Sequence, residues 1–112
     1  MAQSKSDEFE THLVTLARYA KALSHPARLA ILETLAKKDS CICSEIVEVM
    51  PLAQSTVSQH LKELKEAGLI TGEVEGLTSC YCLDAQAVKE LEKMISTLFN
   101  TLKKSFQLKK CC

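Results

Sequence analysis

The chain has 112 residues, which is enough for one domain with a single hydrophobic core. Aromatic residues make up only 4% and there is no tryptophan, so the core must be built mainly from aliphatic side chains, which favours helices. Three glycines and two prolines supply few turns, which argues against an all-β fold. The formal net charge is zero, so overall charge neither favours nor excludes a nucleic-acid partner.

The cellular location of the protein is predicted from two kinds of apolar segment that the sequence lacks. No apolar run approaches the length of a membrane span, and the first residues, MAQSKSDEFETHL, contain no apolar segment of the kind found in secretory signals. We therefore expect a cytoplasmic protein with no membrane partner. The six cysteines are expected to be reduced thiols rather than structural disulfides.

Apolar residues at three- and four-residue steps predict a first helix over residues 7–23. Ser24 is predicted to cap a second helix that has Pro26 in its first turn and Lys37 and Lys38 at its end. A short third helix is predicted over residues 41–50, after Asp39 and Ser40 as capping residues and before Pro51.

A fourth helix is predicted over residues 54–67, with Ser55 as its N-cap and Gly68 as its stop. Two short strands joined by a turn at Gly76 form a hairpin over residues 69–83, which is typical of a wing. Asp84 caps a final helix over residues 84–109, whose apolar side is larger than a small domain covers alone. Residues 7–23 and 84–109 are therefore predicted to form a dimer interface.

The third and fourth predicted helices have the arrangement of a helix-turn-helix, and the fourth carries a polar set away from its apolar stripe. Glutamine can pair with adenine, and hydroxyl groups can contact bases or phosphates. A solvated face of an ordinary amphipathic helix explains the same pattern equally well. Arg28, Lys62 and Lys65 suit phosphate contacts, although solvation alone also explains them. The predicted DNA-binding residues are Gln54, Ser55, Thr56, Ser58, Gln59, His60 and Lys62.

Two segments carry a family resemblance: LSHPARLAIL at residues 23–32 and QSTVSQHLKELKEAGLI at residues 54–70. Together they resemble the ArsR/SmtB family of metal-responsive repressors. The resemblance implies a mainly α winged helix-turn-helix with a small β-hairpin wing, in the order α-α-α-α-β-β-α, forming a homodimer in one domain over residues 1–112. It also implies a pseudo-palindromic operator DNA as partner.

Cys41-Ile42-Cys43 falls where arsenic- and cadmium-responsive members of that family carry a Cys-x-Cys pair. The resemblance therefore implies a thiolate site for As(III) or Sb(III), with Cd(II), Pb(II) or thiol oxidation as the alternative signal. Ile46 stands where those members often carry a further cysteine, so the third ligand is open. A mobile tail with Cys111 and Cys112 could supply that ligand. The alternative is that these two cysteines only form adventitious disulfides.

A helical placement of Cys41 and Cys43 predicts a release mechanism. Residues two apart on a helix point about 200° apart, so both sulfurs cannot close on one ion unless the first turn unwinds. Inducer binding is thus expected to unwind the helix that supports the DNA-reading helix. Apolar filling of space beneath that helix is the alternative role of the pair.

Each of the remaining candidate residues has a structural and a functional interpretation. Cys80 and Cys82 share one face of a strand and either pack or help bind the ion. His12 and His25 suit helix packing and capping, whereas His60 either touches DNA or packs locally. Residues 84–112 contain no histidine, which argues against the zinc site that other family members carry on the last helix.

The sequence also bears on two other classes of function. A thiol enzyme is disfavoured because the sequence has no Cys-x-x-Cys, no paired acid and base, and no phosphate loop. A winged helix that binds only proteins is disfavoured by the polar set on the fourth helix. The sequence thus predicts a non-enzymatic, DNA-binding repressor without a permanent cofactor.

Overall fold

The structure is a computed structural model that describes residues 8–43, 52–75 and 78–108. In these ranges four helices accompany one three-stranded antiparallel sheet, which confirms the predicted mainly α winged helix-turn-helix class. No helix in the same ranges is both long and apolar enough to cross a membrane. In chain order the elements are α1 (Thr11–Ala22), α2 (Pro26–Lys37), β1 (Cys41–Cys43), α3 (Gln54–Ala67), β2 (Ile70–Glu75), β3 (Thr78–Leu83) and α4 (Ala85–Leu108).

The start of α2 is capped by a histidine rather than by the predicted serine. His25 is the N-cap, and its Nδ1 accepts a hydrogen bond from the backbone N–H of Ala27 at 3.0 Å. Ser24 instead donates its hydroxyl to the Lys21 carbonyl at 2.6 Å, at the end of α1. Pro26 occupies the first helical position, where its missing N–H costs nothing.

The predicted third helix is wrong at its start, because Cys41–Cys43 form strand β1. Asp39 and Ser40 have φ angles of 62° and 79°, so the chain reverses direction directly after α2 instead of entering another helix. The Ser40 carbonyl then accepts the N–H of Leu83 at 2.8 Å, which fixes the new strand beside the wing. The rest of the predicted helix, residues 44–50, lies outside the described residues.

The sheet has the order β1-β3-β2, so the wing strand β3 is central and β1 adds a strand that the sequence analysis missed. The antiparallel register of β1 and β3 sets Cys41 opposite Cys82 and Cys43 opposite Cys80. On the other edge, Thr71 lies opposite Cys82. The turn predicted at Gly76 lies outside the described residues.

The core lies between the helices and one face of the sheet. Two side-chain contacts hold α4 in place: Asp84 Oδ1 accepts the Ala87 N–H at 3.0 Å, as predicted for its cap, and the Tyr19 hydroxyl donates to Glu90 Oε1 at 2.9 Å. Burial, and next the contact with Glu90, raises the pKa of Tyr19. The fully buried large side chains are Ile31, Leu35, Val57, Leu64, Leu69 and Ile70.

Candidate nucleic-acid interface and thiol site

Helix α3 has one apolar side fixed in the core. Val57, Leu61 and Leu64 are buried and lie at helical spacing, so they face the same way. The helix begins after Ala53, whose carbonyl accepts the N–H groups of Thr56 and Val57, and not after Ser55 as predicted. Gly68 ends it in the left-handed region, at φ 91°. The orientation of α3 is therefore set by its buried side and by both of its ends.

The opposite side of α3 is polar and exposed. Ser55, Thr56, Ser58, Gln59 and Lys62 all face solvent. The amide nitrogen of Gln59 donates to Glu63 Oε2 at 3.3 Å, which orients that amide and leaves its oxygen available. Gln54 begins the helix, but its side chain lies outside the described part. The exposed face thus presents hydroxyl, amide and ammonium groups, which are the groups that contact nucleic acid.

His60 lies on the buried side of α3 rather than on the exposed side. Its side chain is only 8% exposed, and its ring lies 4.4 Å from the ring of His25 between centroids. Arg28 Nη1 lies 3.2 Å from His60 Nδ1; because a guanidinium only donates, Nδ1 is the acceptor. Burial, and next the positive charges of His25 and Arg28, lowers the pKa of His60. Of the two roles that the sequence left open for His60, the geometry fits local packing.

Arg28 is also turned inward, away from the phosphate contact that the sequence suggested. Its Nε donates to the Ala22 carbonyl at 2.8 Å, and its Nη2 donates to the Lys21 carbonyl at 3.3 Å. These bonds satisfy the open carbonyls at the end of α1. Through His60, the same guanidinium joins the end of α1 to α3. Arg28 is therefore a positioning residue for the exposed helix.

The cysteines of β1 and β3 come together on one face of the sheet. Cys41 and Cys82 form a disulfide, with their Cα atoms 4.0 Å apart. Cys80 is disulfide-bonded as well. The prediction of reduced thiols is therefore wrong for these residues in this structure, because the register sets the cysteines of two adjacent strands opposite one another.

The two faces of the sheet have different chemistry. Ile42 and Ile70 are 4% and 1% exposed on the inner face, whereas Cys41 is exposed and Cys80 and Cys82 are partly exposed. Because side chains alternate along a strand, residues 41 and 43 share a face, as do residues 80 and 82. The helical geometry that was predicted to keep the sulfurs of Cys41 and Cys43 apart is therefore absent. The predicted mechanism, in which ion binding unwinds that helix, is wrong for the same reason.

A surface pocket of about 520 Å³ borders this cysteine-bearing face beside the end of α3. The pocket leaves a path for a small ion or a reductant to reach the sulfurs. In the disulfide form, no three Cys, His, Asp or Glu side chains are grouped as a metal site within residues 8–43, 52–75 and 78–108. The tail cysteines, Cys111 and Cys112, lie outside the described residues. The pocket is lined by Lys65, Gly68, Ile70, Thr71, Gly72, Cys80, Cys82 and Asp84.

The long helix α4 leaves apolar side chains uncovered along its outer half. Phe99, Leu102 and Phe106 are 55%, 49% and 74% exposed, and Leu13 of α1 is 42% exposed nearby. Leu13 and Leu98 line a second pocket, of about 510 Å³, between α1 and α4. Exposed aromatic and aliphatic groups at this density are typical of an interface.

The fold and much of the sequence are similar to those of known proteins. The family model of a helix-turn-helix domain matches residues 23–73. The arsenical resistance operon repressor of Bacillus subtilis is 37% identical over 86 residues, covering 73% of this chain and 81% of that protein. The chain belongs to the ArsR/SmtB family.

Two further comparisons bear on the helix-turn-helix class and on the fold. An uncharacterized HTH-type transcriptional regulator of Methanocaldococcus jannaschii is 37% identical over 83 residues, covering 73% of this chain and 92% of that protein. The crystal structure of an ArsR family transcriptional regulator has a TM-score of 0.73 at 17% identity and covers 91% of this chain and all of that one; at this identity it supports the fold alone. ArsR/SmtB proteins are helix-turn-helix transcriptional regulators and not enzymes, as predicted.

Two signals in the sequence indicate strand β1 and the buried position of His60, which were not predicted. Cys41-Ile42-Cys43 repeats the alternation of Cys80-Tyr81-Cys82, which indicates strand as well as helix. His60 lies three residues after Val57 and four before Leu64, which is the spacing of the buried side of a helix.

Proposed function

We propose that this ArsR/SmtB chain is a homodimeric repressor that reads a pseudo-palindromic operator with α3 and leaves it when As(III) or Sb(III) binds the thiolates of Cys41 and Cys43. The observation that carries the proposal is the two-sided character of α3, polar and exposed on one side and fixed in the core on the other. A rigid helix with a free polar face is what major-groove reading requires.

The contacts with DNA divide by chemistry. Gln59, whose amide is oriented by Glu63, is proposed to read a base edge, and Gln54 at the first helical position is its partner in sequence readout. Ser55, Thr56 and Ser58, in the first turns, are proposed to contact phosphates, which the N-terminal N–H groups of a helix also favour. Lys62 adds a phosphate contact. His60 acts indirectly by holding α3.

The homodimer is proposed to form through α4, supported by α1. Exposed apolar groups recur along α4 at Leu98, Leu102 and Phe106, which are four residues apart and thus on one side. Burying that side against a second copy removes it from water at roughly 25 cal/mol per Å². Two copies related by a twofold axis then present two α3 helices to two half-sites.

Arsenic is proposed as the inducer on two grounds. The first is the similarity to a repressor named for arsenical resistance. The second is the concentration of cysteine at the wing, since thiolates select soft ions over hard ones. Cd(II) or Pb(II) is the alternative metal signal at the same cysteines.

The coupling between the thiols and α3 follows from chain order. Strand β1 precedes α3 and β3 follows it, so the β1–β3 pairing spans the reading helix. The wing joins α3 tightly, because the Leu69 N–H bonds the Leu64 carbonyl at 3.1 Å. An ion that changes the spacing of β1 and β3 therefore changes the setting of α3 relative to the wing. Such coupling is typically about 1–3 kcal/mol.

The test is a mobility-shift titration with DNA selected from random sequence by the reduced protein. Arsenite is expected to release the wild type, whereas C41S should bind the same DNA with unchanged affinity and lose the response. The control C111S/C112S changes only the tail. A C41S variant that still releases DNA with arsenite contradicts the site, and a reduced protein that selects no DNA contradicts the repressor function.

The disulfide between Cys41 and Cys82 favours a second candidate, a repressor that senses thiol oxidation. Oxidation removes two electrons and two protons from the thiol pair and needs no metal. Operator affinity measured in glutathione buffers of graded potential, with a chelator present, separates the two signals. A change in affinity that tracks the Cys41–Cys82 disulfide supports oxidation sensing; constant affinity excludes it.

A further inference from the structure

We infer that His60 positions the DNA-reading helix α3 only while its ring is neutral, so that uptake of a proton from solvent by Nδ1 releases the operator. This inference rests on the proposed function, since it concerns the same helix and the same DNA. The observation behind it is that Nδ1, the atom that would take the proton, already accepts from Arg28 Nη1 at 3.2 Å. Proton uptake at Nδ1 and the contact with Arg28 therefore exclude one another.

Arg28 is the fixed partner of this pair. Its Nε donates to the Ala22 carbonyl at 2.8 Å, and its Nη2 lies 3.3 Å from the Lys21 carbonyl and 3.4 Å from Ser24 Oγ. These contacts hold the guanidinium at the end of α1, and its positive charge is permanent. When the contact between the two side chains breaks, the part that moves is therefore His60, and α3 moves with it.

The surroundings of His60 disfavour its protonated ring. The side chain is only 8% exposed, and the ring of His25 lies 4.4 Å away between centroids. Burial is the largest effect; the charges of His25 and Arg28 at the start of α2 act in the same direction, whereas Glu63 on α3 acts in the opposite one. The balance lowers the pKa of His60. A protonated ring therefore gains by leaving the site for water.

The other elements around α3 supply no surplus of negative charge. Arg18 and Lys21 of α1 line a pocket of about 220 Å³ together with Glu63 and Glu66 of α3, so two cations and two carboxylates meet there. On β2, residues 70–72 carry no charged side chain. Among the described residues, no excess of carboxylates thus holds a protonated His60 in place.

Displacement of His60 reaches the reading face because the two sides of α3 belong to one rigid helix. His60 is seated with Val57 and Leu61 on the buried side, and Gln59, the next residue along the chain, is exposed. Base readout needs side chains held to within about 0.5 Å. Acid ordinarily strengthens protein–DNA binding, because added positive charge attracts phosphates. Weaker binding in acid therefore distinguishes positioning by His60 from general attraction.

The experiment is fluorescence anisotropy of the reduced protein with its selected DNA, at constant ionic strength, from about pH 8 to about pH 5. The dissociation constant of the wild type should rise about tenfold for each pH unit below the pKa of His60. Its midpoint should coincide with the His60 ring titration seen by NMR in the free protein. Affinity that is constant or increases towards acid overturns the inference, and so does a midpoint that differs from that of His60.

Three variants assign the proton. His60→Asn keeps an acceptor near the position of Nδ1 but cannot take up a proton, so its affinity should not weaken as the pH falls. His12→Gln removes the exposed histidine of α1 and should keep the wild-type profile. His25→Asn keeps a capping side chain at the start of α2 and should also keep it. A flat profile in His25→Asn, or a wild-type profile in His60→Asn, overturns the assignment to His60.

Circular dichroism at each pH separates release from unfolding. We expect DNA binding to be lost while the helical signal is unchanged; loss of both together overturns the inference. A reduced protein that selects no DNA at about pH 8 contradicts the proposed function and the inference with it. A protein that binds its DNA as tightly in acid as at neutral pH contradicts the inference alone.

Discussion

The ring of Tyr81 on β3 lies against Gly72, its register partner on β2 of the wing hairpin. A Cβ at residue 72 would overlap Tyr81 Cδ1 and Cε1. We expect Gly72→Ala to lower the free energy of unfolding by about 1–3 kcal/mol, because the ring must move in a packed site. Urea denaturation measures the loss.

Thr71→Ala is the matched control for Gly72→Ala, since Thr71 is the exposed neighbour on the same strand. It should change the free energy of unfolding by no more than about 0.5 kcal/mol. The double variant G72A/Y81A should lose less than the sum of its single changes. An unchanged midpoint for Gly72→Ala contradicts the contact.

His60 makes stability depend on pH. Because its pKa is lowered in the folded protein, the unfolded chain binds a proton more readily. The free energy of unfolding should therefore be highest above about pH 6.5, the ordinary pKa of a histidine, and fall as the pH drops below it. His60→Gln should flatten this slope between pH 7.5 and 5.5 in urea denaturation, and the exposed His12→Gln should not.

On helix α3, variants of the exposed face test base-specific contacts and general attraction to DNA separately. Gln59→Ala should remove about 1–3 kcal/mol of preference for one base pair. Lys62→Ala should weaken all sequences alike and reduce the salt slope of binding by about 1. Fluorescence anisotropy at several salt concentrations, on operator and on single-base variants, measures both effects.

Glu66→Ala is the control for the α3 variants, because Glu66 is exposed near the end of the helix, away from the first turns. It should leave sequence preference unchanged. If Gln59→Ala keeps the full preference for every base pair, α3 does not read the operator through that residue.

Local signals predicted α3 and α4 well. The apolar spacing of Val57, Leu61 and Leu64 marked the buried side of α3, and Gly68 and Asp84 marked a stop and a cap that the structure also has. These features are local, since each depends on residues within a few positions along the chain.

Local signals in the sequence could not predict the thiol site. Three residues, Cys41-Ile42-Cys43, fit a helix or a strand equally, and the strand they pair with lies about forty positions further along. The reversal at Asp39 and Ser40 uses positive φ angles that non-glycine residues seldom adopt. Pairing with β3 decides the conformation of β1, and pairing between distant segments is what one sequence does not reveal.

For the whole molecule, the uncovered side of α4 predicts the oligomeric state. Leu102→Glu places a charge on the apolar side, so we expect a dimer to dissociate to monomers at micromolar concentration in analytical ultracentrifugation. Asn100→Glu places the same charge on an exposed position about 200° around the helix and should leave the dimer intact. A wild type that is monomeric at high concentration contradicts the interface.

The Cys41–Cys82 bond also closes a covalent ring between residues with a sequence separation of 41, and α3 lies wholly inside that ring. A closure of this length restricts the denatured chain and is worth about 4 kcal/mol in the chain-entropy model. When the oxidised protein is heated, the bond still joins the two segments that flank α3. The reduced chain has no such link. The redox state of these cysteines would then set how long the protein keeps its fold on heating.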